Sequence, residues 1–251
     1  MLKKFLLVCC LSFFAASQLV AGVGVSTGNG SLTVEEIVNR NIAARGGADA
    51  WRKVISMTVA GKMDVGKGMQ VPYTLELKRG RKVRLEIQFQ GETAVQVFDG
   101  ANGWKRRPFL GRKDVEPFTP EELQKASLDS DLDGPLVNHV SDGTRLELVE
   151  TDKVDGRNAY KLKLTLKTGQ IRCVWIDAET FLEAKVDGTR RMDGRQRTLE
   201  TFYRDYRTVQ GLKVPFVYET SVDGVKGTEK ININNVAVNP TLDDTVFSKL
   251  R

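Results

Sequence analysis

Apolar and polar residues alternate one by one along most of this chain, and the runs end at glycine-containing turns. Val83-Arg84-Leu85-Glu86-Ile87-Gln88-Phe89-Gln90 and Tyr160-Lys161-Leu162-Lys163-Leu164-Thr165-Leu166-Lys167 are the clearest cases. Successive side chains of a strand point to opposite faces, so a period of two gives each strand one apolar and one polar face. The alternation predicts strands near 56–64, 69–78, 81–90, 93–98 and 101–106, and again near 144–153, 157–167, 170–177, 181–190, 196–209, 213–222 and 227–238, twelve runs read as a sheet of about eleven strands. Asp99-Gly100, Asp155-Gly156, Asp187-Gly188, Asp193-Gly194 and Asp223-Gly224 fall at the joints. Asp-Gly between alternating runs is a strong hairpin signal.

Helical patterning is confined to two places. Thr33 and Glu36 form a capping box, Val34, Ile37, Val38, Ile42 and Arg45 share a face, and Gly46-Gly47 ends the helix. Thr119-Pro120-Glu121-Glu122 offers an N-cap, a first-turn proline and acidic residues for a helix over 120–129. A second short helix is expected near 134–140, while the prolines at 108, 117 and 120 mark 108–120 as a loop.

These faces do not balance. About eleven strands with some four inward residues each present roughly forty apolar side chains, against about ten on the helices. The economical solution is a mainly β (α+β) fold in which one antiparallel sheet curls toward a barrel and the helices plug its concave apolar face. Side chains alone do not fill so wide a barrel, so an apolar cavity is expected. The expected lining is Tyr73, Leu75, Leu77, Leu85, Ile87, Phe89, Val97, Trp104, Leu162, Leu164, Trp175, Phe216 and Tyr218.

Residues 1–21 stand outside this pattern. Met1 to Lys4 is basic, Phe5 to Ala16 is apolar but for Ser12, and Ala21, Gly22 and Gly24 offer cleavage points, the layout of a signal peptide. The apolar run is too short for a stable membrane span. A flexible linker over 22–30 then leads into one domain, 31–251. Cys9 and Cys10 lie deep inside the apolar run, so the exported chain is not expected to be lipidated itself. Cleavage leaves Cys173 alone and no intramolecular disulfide.

The whole chain has 38 basic and 32 acidic residues, and removing Lys3 and Lys4 leaves 36 against 32. That excess does not by itself imply nucleic acid, and the acids between the aromatics of 202–207 argue against it. Lys78, Arg79, Arg81, Lys82, Arg84, Lys105, Arg106, Arg107, Arg112 and Lys113 do bunch between 78 and 113. Such a run is either a solvated face or a patch for anionic headgroups or an acidic partner protein at one of the two membranes.

Catalytic parts are scarce. His139 is the one histidine, with no nucleophile-elbow pattern around it. Cys173 shares a strand face with Ile171 and Trp175 and reads as a small core residue. Asp129-Ser130-Asp131-Leu132-Asp133-Gly134 matches the front of a calcium loop, but Val140 stands where the bidentate glutamate belongs. No zinc spacing or phosphate-cradling glycine loop is present, so no catalytic residue, metal or cofactor is expected.

The stretch LTVEEIVNRNIAARGGADAWRKVISMTVAG (32–61) resembles the outer-membrane lipoprotein-sorting proteins, as do Phe98-Asp99-Gly100-Ala101-Asn102-Gly103-Trp104, Asp133-Gly134-Pro135-Leu136-Val137 and Asp205-Tyr206-Arg207 with Gly211 and Pro215. Asn239-Pro240 through Asp243, Asp244 and Phe247 looks like that family's tail. The family is similar to the LolA/LolB-like periplasmic carriers. The resemblance implies an unclosed, strongly curved antiparallel sheet with helices against its concave side, which holds acyl chains. It implies a periplasmic carrier of lipoprotein acyl chains or other lipids. A non-lipid envelope sensor or protein-binding module on the same fold is the alternative.

Overall fold

The computed structural model describes residues 32–250 except 67, 193 and 194. The expected signal peptide, the whole 22–30 linker and the Asp193-Gly194 turn lie outside the described residues. Helices α1 (Val34–Ala44) and α2 (Ala48–Arg52) come first. Six strands follow: β1 (Ser56–Asp64), β2 (Gln70–Lys78), β3 (Lys82–Phe89), β4 (Glu92–Phe98), β5 (Gly103–Arg107) and β6 (Arg112–Pro117). Helix α3 (Pro120–Asp129) precedes β7 (Arg145–Val154), β8 (Arg157–Thr165), β9 (Ile171–Asp177) and β10 (Glu183–Met192). The chain returns through β11 (Arg195–Val209), β12 (Leu212–Val222) and β13 (Thr228–Val238).

All thirteen strands form one antiparallel sheet, in the order β6-β5-β4-β3-β2-β1-β13-β12-β11-β10-β9-β8-β7. Two meanders run outward from the centre, where β1 pairs with β13. The edges β6 and β7 do not pair with each other, so the barrel is open. The connection from one edge to the other, residues 118–144, therefore has to pass across the concave side. It carries α3 and places Phe118, Ala126, Leu132 and Leu136 among the core clusters of that side.

Three expectations change. The strands number thirteen rather than about eleven, because every alternating run is a strand and the expected 108–120 loop contributes β6. Arg112 to Pro117 has little apolar alternation and pairs at an edge, where prolines are tolerated. The helix expected at 134–140 is a run of turns beginning after Gly134 at φ 79°. Ala48–Arg52, for which no element was expected, forms α2, whose Trp51 is buried in the central cluster.

Helix α1 begins as its sequence dictates: Thr33 accepts from Glu36 N–H and the Glu36 carboxylate accepts from Thr33 N–H. Its buried face is Ile37, Val38 and Asn41, packed with Leu162, Leu164, Val174 and Ile176. Burying Ile37 and Val38 contributes about 2 kcal/mol each. Asn41 is the polar member, and its amide donates to the Phe181 carbonyl at 2.8 Å.

At the centre, a register shift between Ala60 and Gly61 bends β1 against β13. A Cβ on Gly61 would stand 2.2 Å from the Asn232 carbonyl oxygen and 2.8 Å from Ile233 Cα. Gly61→Ala is therefore expected to cost about 1–3 kcal/mol, lowering the melting temperature by several degrees. An unchanged midpoint in calorimetry would show that the seam can shift at no cost.

The segment after β13 packs on the outer face. The Asn239 amide accepts from Ile55 N–H at 2.6 Å and donates to the Lys53 carbonyl at 3.2 Å. Lys78 and Lys82 both pair with Asp244 at 2.8 Å and hold its carboxyl down at about 2. Phe247 is buried against Val95 and Val97. Thus β4 is covered on both faces.

Candidate functional site

Between the concave wall and the crossing segment lies a hollow of about 440 Å³. Its apolar wall comes from strands on both sides of the β1–β13 seam: Met57, Val59, Tyr73, Leu75, Leu77, Val83, Leu85, Val214, Ile231 and Ile233. Leu128, Leu132 and Pro135 of the crossing segment face them.

The structure brings together five of the thirteen expected lining residues on this wall: Tyr73, Leu75, Leu77, Leu85 and Tyr218. Ile87 and Phe89 are on the same sheet face but fill a separate cluster with Met63, Val65 and Val71, and Phe109 closes over Phe89 at 5.8 Å. Leu162 and Leu164 are sealed beneath α1. Phe216 belongs to the central core, with the Arg207 guanidinium 4.4 Å from its ring centre.

Three expected residues are on the wrong face. Val97 packs under Phe247 outside, and Trp104, directly opposite Val97 in the ladder, shares that face. Trp175 alternates with the cavity residue Val174 and lies outside with Val154 and Ala159, its indole donating to Asp152 at 3.0 Å. Alternation separates the two faces of a strand but does not say which is concave, and where the outer face is also covered the pattern misleads.

Sequence reasoning missed the polar part of the wall: Lys125, Asp129, Arg172, Thr201, Tyr203, Tyr206 and Thr220. One signal was available. The Gln210-Gly211 turn sets the β11–β12 register, which places Tyr203 opposite Tyr218 and Thr201 opposite Thr220. The tyrosine rings meet edge to face with centres 5.6 Å apart, and the threonine hydroxyls are 2.9 Å apart. Burial pushes the Tyr218 phenol up to about 12, and Tyr203 and Tyr206 are raised by the same cause. All three are neutral at physiological pH. Tyr206 donates to the Glu183 carbonyl at 3.0 Å.

Much of the charge on the wall is paired. Arg45 lies 3.6 Å from Glu183, and Asp129 pairs with Lys125 and with Arg172. Burial pushes the Asp131 carboxyl above its usual range. Four cations (Arg45, Lys125, Arg172, Lys213) face four acids (Asp129, Asp131, Glu183, Glu229), the Asp187 carboxylate being turned outward to the Cys173 N–H, so the wall has no positive surplus.

The crossing segment is fastened at Asp133. Its carbonyl accepts from Arg45 at 2.9 Å, and its carboxylate accepts two bonds from Arg79, at 2.7 and 3.1 Å, and one from Asn138 at 2.8 Å. With Asp129 paired to Lys125 and Arg172 and Asp131 accepting from the Asp133 N–H at 3.1 Å, the acids of the calcium-like stretch are engaged within the chain. Among the described residues no group of three or more His, Cys, Asp or Glu could hold a metal ion. His139 sits in the turns, its Nδ1 2.7 Å from the Leu136 carbonyl.

The basic run of 78–113 does not form one patch. Lys78, Lys82 and Arg84 hold the C-terminal segment outside, Arg81 donates to the Ser127 carbonyl, and Lys105 reaches Glu122 of α3. Arg107 and Arg112 share Glu116. Cys173 is on the outer face beside Trp175, and burial pushes its thiol up to about 11, with Asp187 adding to the shift. Relative to an ordinary thiol near 8.5 its thiolate fraction at pH 8 is roughly 200-fold lower. A chain starting at residue 22 should thus react with iodoacetamide far more slowly folded than in urea, and equal rates would overturn this placement.

Neither a family model nor a curated protein sequence matches the chain. Solved structures do. A LolA superfamily protein from Nitrosomonas europaea is similar over 87% of this chain and 99% of its own, at 16% identity and a TM-score of 0.56. The fold is LolA-like. A DUF1329 family protein from Desulfovibrio piger covers 86% of the chain and is covered over 97%, at 14% identity and a TM-score of 0.57. A domain described as an outer membrane lipoprotein-sorting protein, from Vibrio parahaemolyticus, gives 84% and 94% coverage, 15% identity and a TM-score of 0.53. At such identities the LolA-like likeness is one of architecture.

Proposed function

We propose that this protein is an exported periplasmic carrier that holds an acyl chain of a lipoprotein or other lipid in its concave hollow, serving outer-membrane lipoprotein sorting or lipid transport. The carrying observation is the 440 Å³ hollow with an apolar wall, within the range of about 300–1,000 Å³ of small-molecule sites. Burying a chain contributes about 0.8 kcal/mol per CH₂, enough for useful affinity without a reacting group. Tyr73, Leu75, Leu77, Leu85 and Tyr218 are the proposed chain contacts. The signal-peptide layout of residues 1–21 supports export. A protein-binding module using 78–113 has less support, since most of those cations are engaged within the chain. The test is native mass spectrometry and lipid extraction of protein purified from its own periplasm. A copurifying lipid or saturable uptake of a fluorescent fatty acid supports the carrier; reproducible absence of both would sink it.

A further inference from the structure

The capacity and charge of the hollow restrict its cargo, provided that the carrier reading holds. A cavity of about 150 Å³ accepts benzene, which sets a scale of roughly 25 Å³ per carbon. On that scale the 440 Å³ hollow accepts roughly 17 carbons. That is one acyl chain of ordinary length, and a second chain has no space of its own.

The head is restricted by charge. A carboxylate or phosphate taken into this wall has to be desolvated, which is costly unless a cation answers it. The wall has no cationic surplus, and the buried Lys125 and Arg172 already face Asp129. What the wall does offer near the β11–β12 ladder is hydroxyl, the phenols of Tyr203 and Tyr218 and the hydroxyls of Thr201 and Thr220, while the acid Glu229, directly opposite Thr220 on β13, opposes an anionic head. Phenols kept protonated by burial donate to ester or hydroxyl oxygens and repel no neutral group. Lys213 also lines the hollow, but it lies seven residues along β12 from Thr220, away from this polar group.

We infer that the hollow takes a single-chain amphiphile with an uncharged head bearing hydroxyl or ester oxygens. Its chain lies against Val59, Leu75 and Ile231, and its head lies at Tyr203, Thr201 and Thr220. A monoacylglycerol has this chemistry. A free fatty-acid anion fails on the head, and a diacyl lipid fails on capacity.

The experiment uses delipidated protein beginning at residue 22 and three probes below their aggregation limits: 1-monolauroylglycerol, laurate and 1,2-dilauroylglycerol. Native mass spectrometry reads stoichiometry, and displacement of bound N-phenyl-1-naphthylamine, an uncharged fluorophore, reads affinity. The expected result is a 1:1 monolauroylglycerol complex at least tenfold tighter than that of laurate, with no tight dilauroylglycerol complex. Tyr203→Phe should weaken monolauroylglycerol several-fold and leave laurate unchanged, with the near-UV spectrum reporting that the fold is intact. Equal or tighter dilauroylglycerol binding overturns the capacity argument. Tighter laurate binding, lost in Lys213→Ala, overturns the head assignment; in either case a lipid still binds and the carrier reading stands. Failure of all three probes, with no lipid recovered from the periplasmic protein, overturns the carrier reading and this inference together.

Discussion

Leu162→Ala should lower the unfolding free energy by about 3 kcal/mol and leave lipid uptake per folded molecule unchanged. Leu162 is fully buried, enclosed by Ile37 and Val38 of α1, Leu136 of the crossing segment and its sheet neighbours. Truncation leaves a void that these partners, held on three different elements, cannot all close. Leu75 gives the opposite expectation from a residue of the same type. It borders the existing hollow and is only partly covered, so Leu75→Ala removes fewer contacts, about 1–2 kcal/mol, and changes the shape of the proposed binding wall. Urea unfolding followed by circular dichroism, paired with uptake of an uncharged fluorescent probe, separates the two residues. If Leu162→Ala altered uptake and left stability intact, the inner core and the hollow would have to be one compartment.

Asp133→Ala should cost about 2 kcal/mol and loosen the crossing segment. Its carboxylate side chain is 3% exposed and accepts three hydrogen bonds, two from Arg79 and one from Asn138. Arg79 is 35% exposed, so solvent screens the pair and the loss falls below that of a fully buried ion pair. Burial pushes the Asp133 carboxyl up, but the bonds from Arg79 and Asn138 outweigh it and hold the group below its usual value. A depressed folded value means that the contribution is complete above the unfolded value near ~4 and disappears as pH falls through the folded one. The wild-type and Asp133→Ala midpoints should therefore converge below about pH 4. A gap that persists undiminished at pH 2.5 would assign the effect to packing. Faster proteolysis within 130–145 in the variant would report the loosening directly.

The architecture was legible because it depends on local signals. The period-two runs, most of the glycine turns and the Thr33 capping box act within a few residues and appear in the structure, whereas Asp187-Gly188, expected as a joint, is paired inside β10. The candidate site depends on what is distant. Leu162 and Tyr73 have the same alternation, yet one is sealed by α1 and the other faces the hollow, and only the docking of α1 decides between them. Val97 has the pattern of a lining residue because Phe247 covers the outer face of β4. Arg172 and Lys125 read as surface charges until the crossing segment folds Asp129 between them. Edge strand β6 was missed because it buries too little to need apolar residues.

The pairing of β1 with β13 has a kinetic consequence. Every other ladder joins neighbours in sequence, so each meander can form from hairpins close at hand. The β1–β13 ladder joins the first strand to the last, and closing so long a loop is entropically slow. Until it closes, two half-sheets expose unpaired central edges and apolar faces to their surroundings. A chain made from its N-terminus onward passes through that condition for as long as β13 is absent, which makes the seam the step at which assembly competes with aggregation.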